Sequence, residues 1–290
     1  MDKNLLRKIG DTLLSSPFSA FINMNPDKLS PVLYKYRNWK DDNHKNMLRQ
    51  NEVYMSPPGK LNDPFDCRIY ENHLKFVNTE KRKEEYILKS LKEHSDYFIK
   101  KNISETEARE ILTERLKDTL HYQVRSEVLR NEFDDKHYGI LCLSENWESI
   151  LMWTHYADDH KGYCIGFEQK WICLPSLFGK VKRVNYSEEY PEIDPLNKDK
   201  NSWELQYFHK SLDWKYESEV RALNLFSEEN TENQSRIVVL ENKYIKEIVL
   251  GLNTSETDKK EIIAIAKDKN IDIYQTMKAE FEFKIERYKL

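Results

Sequence analysis

Apolar residues along this chain fall into short strand-like runs and one long helix-periodic stretch, and together they predict an α+β fold. The run Val32-Leu33-Tyr34-Lys35-Tyr36 predicts a first strand. A short helix follows over Asp42 to Gln50, and then a second strand, Glu52 to Ser56, which Pro57-Pro58-Gly59 breaks. From Thr79 to about Phe133 the sequence is charged and helical. Ile111, Leu112, Leu116, Leu120, Val124 and Val128 form one stripe, and Ile87, Leu88 and Leu91 another. This stretch, 79–133, predicts two or three helices inserted between strands and packed on a sheet. The second half predicts strands over Tyr138 to Leu143, Tyr163 to Phe167, Val181 to Tyr186, Val220 to Phe226, Arg236 to Leu240 and Ile245 to Leu250. Ser255 opens a helix before Ile262, Ile263 and Ile265, and alternation through Ala279, Phe281, Phe283 and Ile285 predicts a half-buried final strand. Leu5, Leu6, Ile9, Leu13 and Leu14 give residues 1–25 a helical preface. The expectation is one α+β domain over 1–290, built on a mostly antiparallel sheet.

Composition narrows the function classes. The chain has 290 residues and carries 46 basic against 50 acidic ones, for a net charge of −4, so no whole-protein field draws it to nucleic acid. Its 17 Tyr and 12 Phe argue against disorder. Its 7 Gly form neither a dinucleotide fingerprint nor a P-loop. Cys67, Cys142, Cys164 and Cys173 lack paired metal spacing and read as reduced thiols, so no metal is expected. Charges interrupt the N-terminal apolar positions, and no run approaches membrane-spanning length, so the expected setting is cytoplasmic.

Four clusters carry candidate chemistry. Lys35 and Arg37 share one face of the first strand and form a cationic surface able to hold phosphate, with Tyr34 and Tyr36 opposite; the plain alternative is a charged edge strand. Tyr54 and Ser56 close the second strand before a stiff loop containing Asn62, Asp63 and Asp66, which routine turn chemistry also explains. His155 and His160 stand at i, i+5, poor spacing for a helical metal pair; His155 is the better acid/base candidate. Read as one strand, Trp214 to Arg221 places Glu217 and Glu219 on the same face. Like charges there need a cation, a ligand or solvent, and Arg221 on that face would neutralise them without any chemistry.

Leu33 to Arg37, Ser56-Pro57 followed by Asn62 to Asp66, Ile150 to Phe167, and Trp214 to Arg221 together resemble a bacterial family known as domain of unknown function 2971. A basic first strand, a second strand ending in Ser and a late E-x-E strand also resemble the ADP-ribosyltransferase superfamily. That resemblance implies a split, mostly antiparallel sheet with a helical insertion, and NAD as substrate. By position it gives cofactor contacts to Lys35 or Arg37 and to Ser56, with Tyr36 or Tyr54 stacking on nicotinamide and Asn62 on the bordering loop. Glu219 would stabilise the ribosyl cation and Glu217 would orient or deprotonate an unknown acceptor, protein, nucleic acid or water. Lys35 stands where that superfamily more often has His or Arg, and Ser56 stands alone for a fuller S-T-S pattern. Such an enzyme would act as a toxin or anti-phage effector. The rivals are a metal-dependent nuclease or hydrolase using Asp63, Asp66, His155, Glu217 and Glu219, and a non-catalytic nucleotide- or partner-binding module.

Overall fold

A computed structural model describes residues 29–174, 177–198, 202–226 and 236–290. The chain divides into two compact units. One is sheet-bearing and takes in Phe21–Ser56, Tyr138–Tyr186 and Lys210–Leu290; the other is helical and includes Pro57–His137 and Ser187–His209.

The sheet unit contains β1 (Val32–Arg37), β2 (Glu52–Tyr54), β3 (Tyr138–Ser144), β4 (Tyr163–Glu168) and β5 (Lys180–Arg183). Two short strands, β6 (Asn185–Ser187) and β7 (His209–Ser211), lie where the chain passes between units. It continues with β8 (Glu219–Leu225), β9 (Ile237–Val239), β10 (Ile245–Leu250), β11 (Asp272–Lys278) and β12 (Ile285–Lys289). Eight strands form one open sheet in the order β12-β11-β10-β4-β1-β3-β8-β5, and β2 pairs with β9 separately. Pairing is antiparallel except between β10 and β11. These two are joined through the helix Glu256–Asp268, whose first turn is capped by the Ser255 hydroxyl.

Tyr163 to Phe167 on central β4 are all buried, because both sheet faces are covered. On one face Leu33, Leu143, Ile165 and Ile248 pack with Met47 and Leu48 of the helix Asp42–Arg49 and with Ile262. On the other, Tyr34, Tyr36, Cys164 and Val249 pack with Met152 and Trp153 of the helix Ile150–Tyr156. The sheet is forked between its third and fourth hydrogen-bonded neighbours from one end. β1 pairs with β4 along its whole length but meets β3 at one residue pair, Tyr34 opposite Ser144. Beyond that point Ser56 takes the place beside β3, exchanging backbone hydrogen bonds with Ile140 at 2.9 and 2.8 Å. Lys35 Nζ satisfies the intervening Cys142 carbonyl at 2.6 Å.

The helical unit holds the helices Glu80–Glu93, Ser95–Lys100, Glu105–Leu116 and Thr119–His137 around a core that includes Ile87, Leu91, Phe98, Leu112 and Leu116. Ser104 and Glu107 form a reciprocal capping box. The expected stripe ends at Leu116: Leu120, Val124 and Val128 are exposed, and Thr119–His137 instead buries Tyr122, Gln123, Asp134 and His137. Polar groups can face inward there because they are bonded, Gln123 Oε1 accepting from the His73 N–H at 2.8 Å and Asp134 Oδ1 from the Tyr207 hydroxyl at 2.9 Å. The expected final strand is displaced too. Residues 279–284 form the turn between β11 and β12, leaving Phe281 and Phe283 fully exposed and Ile285 buried. The expected helix over 1–25 lies outside the described residues. Among the described residues no helix is long and apolar enough to cross a membrane.

Candidate functional site

The stretch from Trp214 to Arg221 is not one strand. Leu212–Glu217 forms a 3₁₀ helix, Ser218 adopts a left-handed conformation at φ 44°, and β8 begins at Glu219. Glu217 and Glu219 still converge on Lys210, with the left-handed Ser218 linking two elements, and not because they alternate along one strand. Both are 4 % exposed.

Their counter-charges come from two side chains, and a phenol adds a hydrogen bond. Arg221, 0 % exposed, donates from Nε and Nη2 to the two Glu219 oxygens, each at 2.8 Å. Lys210 on β7 bridges the pair, with Nζ 2.7 Å from Glu217 Oε2 and 3.7 Å from Glu219 Oε2. Its ammonium also lies 4.6 Å from the centre of the Trp214 ring. The Tyr156 hydroxyl donates to Glu217 Oε1 at 2.5 Å. The backbone is held as well: Ser144 Oγ donates to the Glu217 carbonyl at 2.6 Å, and the Glu219 N–H donates to the Tyr186 hydroxyl at 2.9 Å.

Among the described residues, two carboxylates and two cations meet in this buried cluster. Burial raises the Glu217 carboxyl above its ordinary range and Glu219 adds to the rise, while Lys210 and the Tyr156 hydrogen bond oppose it. Burial likewise pushes the Tyr186 phenol up.

A second concentration of charge sits at the fork. Burial, with repulsion from Arg37, pushes the Lys35 ammonium down to about 8, against the pull of Glu219 and Glu217. Arg37 Nη1 makes a long 3.4 Å contact to the Tyr36 carbonyl, and its buried Nε has no hydrogen-bond partner among the described residues. His44, facing it from the helix Asp42–Arg49, has a buried and equally unpartnered Nδ1. Burial and the charges of Arg37 and Lys35 hold this imidazole neutral, at about 4. A buried donor without an acceptor costs roughly 1–3 kcal/mol, more when charged.

β3 connects the two concentrations. Ser56 pairs at Ile140, Lys35 binds at Cys142, and Glu219 lies opposite Ser144, so the three attach over about 13 Å of one strand. The remaining sequence candidates are placed differently. Tyr36 is a core residue, its hydroxyl donating to the Asn146 carbonyl at 2.7 Å and its ring set edge-on to Trp153. Tyr54 is 37 % exposed on β2. His155 is exposed, its ring 6.0 Å from Tyr216. Asn62, Asp63 and Asp66 belong to the helical unit, where Asp63 Oδ1 caps the turn by accepting from the Phe65 N–H at 2.9 Å. Among the described residues no three His, Cys, Asp or Glu side chains are arranged to hold a metal ion.

Sequence reasoning missed Lys210, Tyr156, Tyr186, Ser144 and His44. Lys210 carries no local signal, since one lysine in a charged stretch looks like any other. Tyr156 lies in a singled-out motif, yet its partner is 61 residues away. Searches of curated proteins and of solved structures found no match. Residues 152–222, a stretch containing Tyr156, Tyr186, Lys210, Glu217, Glu219 and Arg221, match the model of the protein family of unknown function DUF2971.

Proposed function

We propose that the sheet unit binds the pyrophosphate of a dinucleotide, NAD, at the fork and breaks its nicotinamide–ribose bond with the help of the acid pair. The observation that carries this is a pair of buried nitrogens with no hydrogen-bond partner among the described residues, Arg37 Nε and His44 Nδ1, beside Lys35. A desolvated guanidinium without a carboxylate is costly unless an anion completes it. The forked sheet, the basic first strand, Ser56 beside β3 in place of a strand end (β2 stops at Tyr54) and the late acidic residues support the resemblance to ADP-ribosyltransferases.

In this mechanism the bond between nicotinamide N1 and ribose C1′ breaks, and its electron pair leaves with nicotinamide. Glu219, paired with Arg221, stabilises the oxocarbenium character of the ribose. The acceptor's lone pair forms the new bond to C1′, and its proton passes to Glu217. Incubation of the purified protein with NAD, with and without a cell extract as acceptor source, tests this by nicotinamide release and by transfer of label from the adenylate phosphate. Glu219→Gln should lower release about 10²–10³-fold, the effect of losing one electrostatic stabiliser. No release under either condition would overturn the proposal.

The complete pairing of Glu217 and Glu219 favours one second reading, a module that binds the dinucleotide and leaves it intact. Calorimetric binding of NAD with full recovery of the ligand would select it.

A further inference from the structure

We infer that Lys210 is the positioning residue of the acid pair: one buried ammonium holds Glu217 and Glu219 ionised together and fixes their separation, and so sets the pH range over which they work. The inference deepens the proposed function and rests on it for the word "work". The contacts of Lys210 with both acids follow from the geometry alone.

Each acid has its own neutral or cationic anchor, Tyr156 for Glu217 and Arg221 for Glu219. Lys210 is the cation that touches both, at 2.7 and 3.7 Å. Its side chain is 3 % exposed, and the Trp214 ring covers the ammonium. The groups facing this cluster are Tyr156, Tyr186 and Tyr216, with Arg221 on β8 and Lys35 at longer range from β1. With Lys210 present, two negative charges meet two positive ones at contact distance. Without it, Arg221 is the one cation among the described residues left in contact with the pair, and two carboxylates in one buried cluster resist being ionised together. The pair then takes up one proton, shared between Glu217 and Glu219.

Lys210→Met, Lys210→Arg and the double variant Lys210→Met with Glu217→Gln test this. Two readouts are used: the pH profile of nicotinamide release, and the infrared band of protonated carboxyl groups as a function of pH. In Lys210→Met the acid limb should move up by about two pH units, and a protonated-carboxyl band should persist at neutral pH. Lys210→Arg should restore the native profile and remove the band. The double variant, which removes one acid with the cation, should lack the band and should fold where Lys210→Met does not. A Lys210→Met protein with an unchanged acid limb and no added band overturns the inference. So does a double variant less stable than Lys210→Met alone. If the native protein releases no nicotinamide, the infrared and stability readouts still decide what Lys210 does, so failure of the proposed function remains distinguishable from failure of this inference.

Discussion

Arg221→Met is the substitution whose cost follows most directly from the structure. The guanidinium is 0 % exposed and makes two 2.8 Å bonds to a carboxylate that is itself 4 % exposed. Lys210 is the next cation from Glu219 at 3.7 Å, and it is already committed to Glu217. Removing Arg221 therefore takes one positive charge from a buried cluster in which, among the described residues, two carboxylates then face one cation. Breaking one partner of a buried pair costs about 3–5 kcal/mol, whereas replacing both partners by apolar groups of similar volume is close to neutral. Arg221→Met should accordingly lose about 3–5 kcal/mol, or roughly 6–20 °C in midpoint at about 2–4 °C per kcal/mol. Adding Glu219→Leu should recover most of it. Tryptophan fluorescence suits the measurement, because Trp39, Trp147, Trp153, Trp171 and Trp214 lie in the sheet unit and only Trp203 in the helical one. A single variant within about 1 kcal/mol of the native protein would refute the reasoning, since an uncompensated buried charge cannot be that cheap. A double variant no better than the single would show that packing, not charge, is what Arg221 supplies.

Arg37→Met should leave the ligand-free protein equally or more stable, because it removes a buried guanidinium without a carboxylate partner, yet weaken NAD binding at least tenfold by calorimetry. A clear loss of stability would assign Arg37 a structural task instead. Lys35 titrates near 8 in the fold and near 10.5 in the unfolded chain, which therefore holds a proton that the fold releases between those values. Relative to Lys35→Met, native stability should then rise with pH across that window, by at most about 3 kcal/mol in urea titrations. A flat difference would contradict the burial of its ammonium. Gly162→Ala would set a methyl 2.1 Å from the Arg37 carbonyl oxygen, a backbone atom that cannot yield cheaply, so a loss of about 1–3 kcal/mol and weaker NAD binding should appear together. Unchanged unfolding would show that this close approach is not required.

Much of the sheet was legible because its signal is local. Ile245–Leu250 forms as expected, and Val32–Arg37 extends the expected run by one residue, since a buried strand needs nothing more than a short apolar run between turn residues. The misses share a cause. Leu120, Val124 and Val128 have the spacing of a buried stripe, but spacing cannot say which side of a helix finds a partner, and Gln123 and Asp134 were bonded instead. Phe281 and Phe283 alternate like strand residues, but Ala279 and Lys284 close the hairpin before them, the N–H of Ala279 donating to the Lys284 carbonyl at 3.0 Å. Alternation describes a strand only where a neighbour continues the ladder.

The acid pair shows where the two sources of information part. The sequence by itself determined that Glu217 and Glu219 lie close, that Arg221 is near enough to answer one of them, and that Lys35 and Arg37 share a face. Short covalent separations keep such residues near one another, and an extended strand puts i and i+2 on one face. The tertiary structure decided how the pair is brought together, through a left-handed Ser218 where a strand was expected, and that both acids are buried. It also decided that Lys210, Tyr156 and Tyr186 surround them and that, among the described residues, Arg37 Nε and His44 Nδ1 have no hydrogen-bond partner. Desolvation and counter-charge depend on what packs around a group, and those neighbours arrive from tens of residues away.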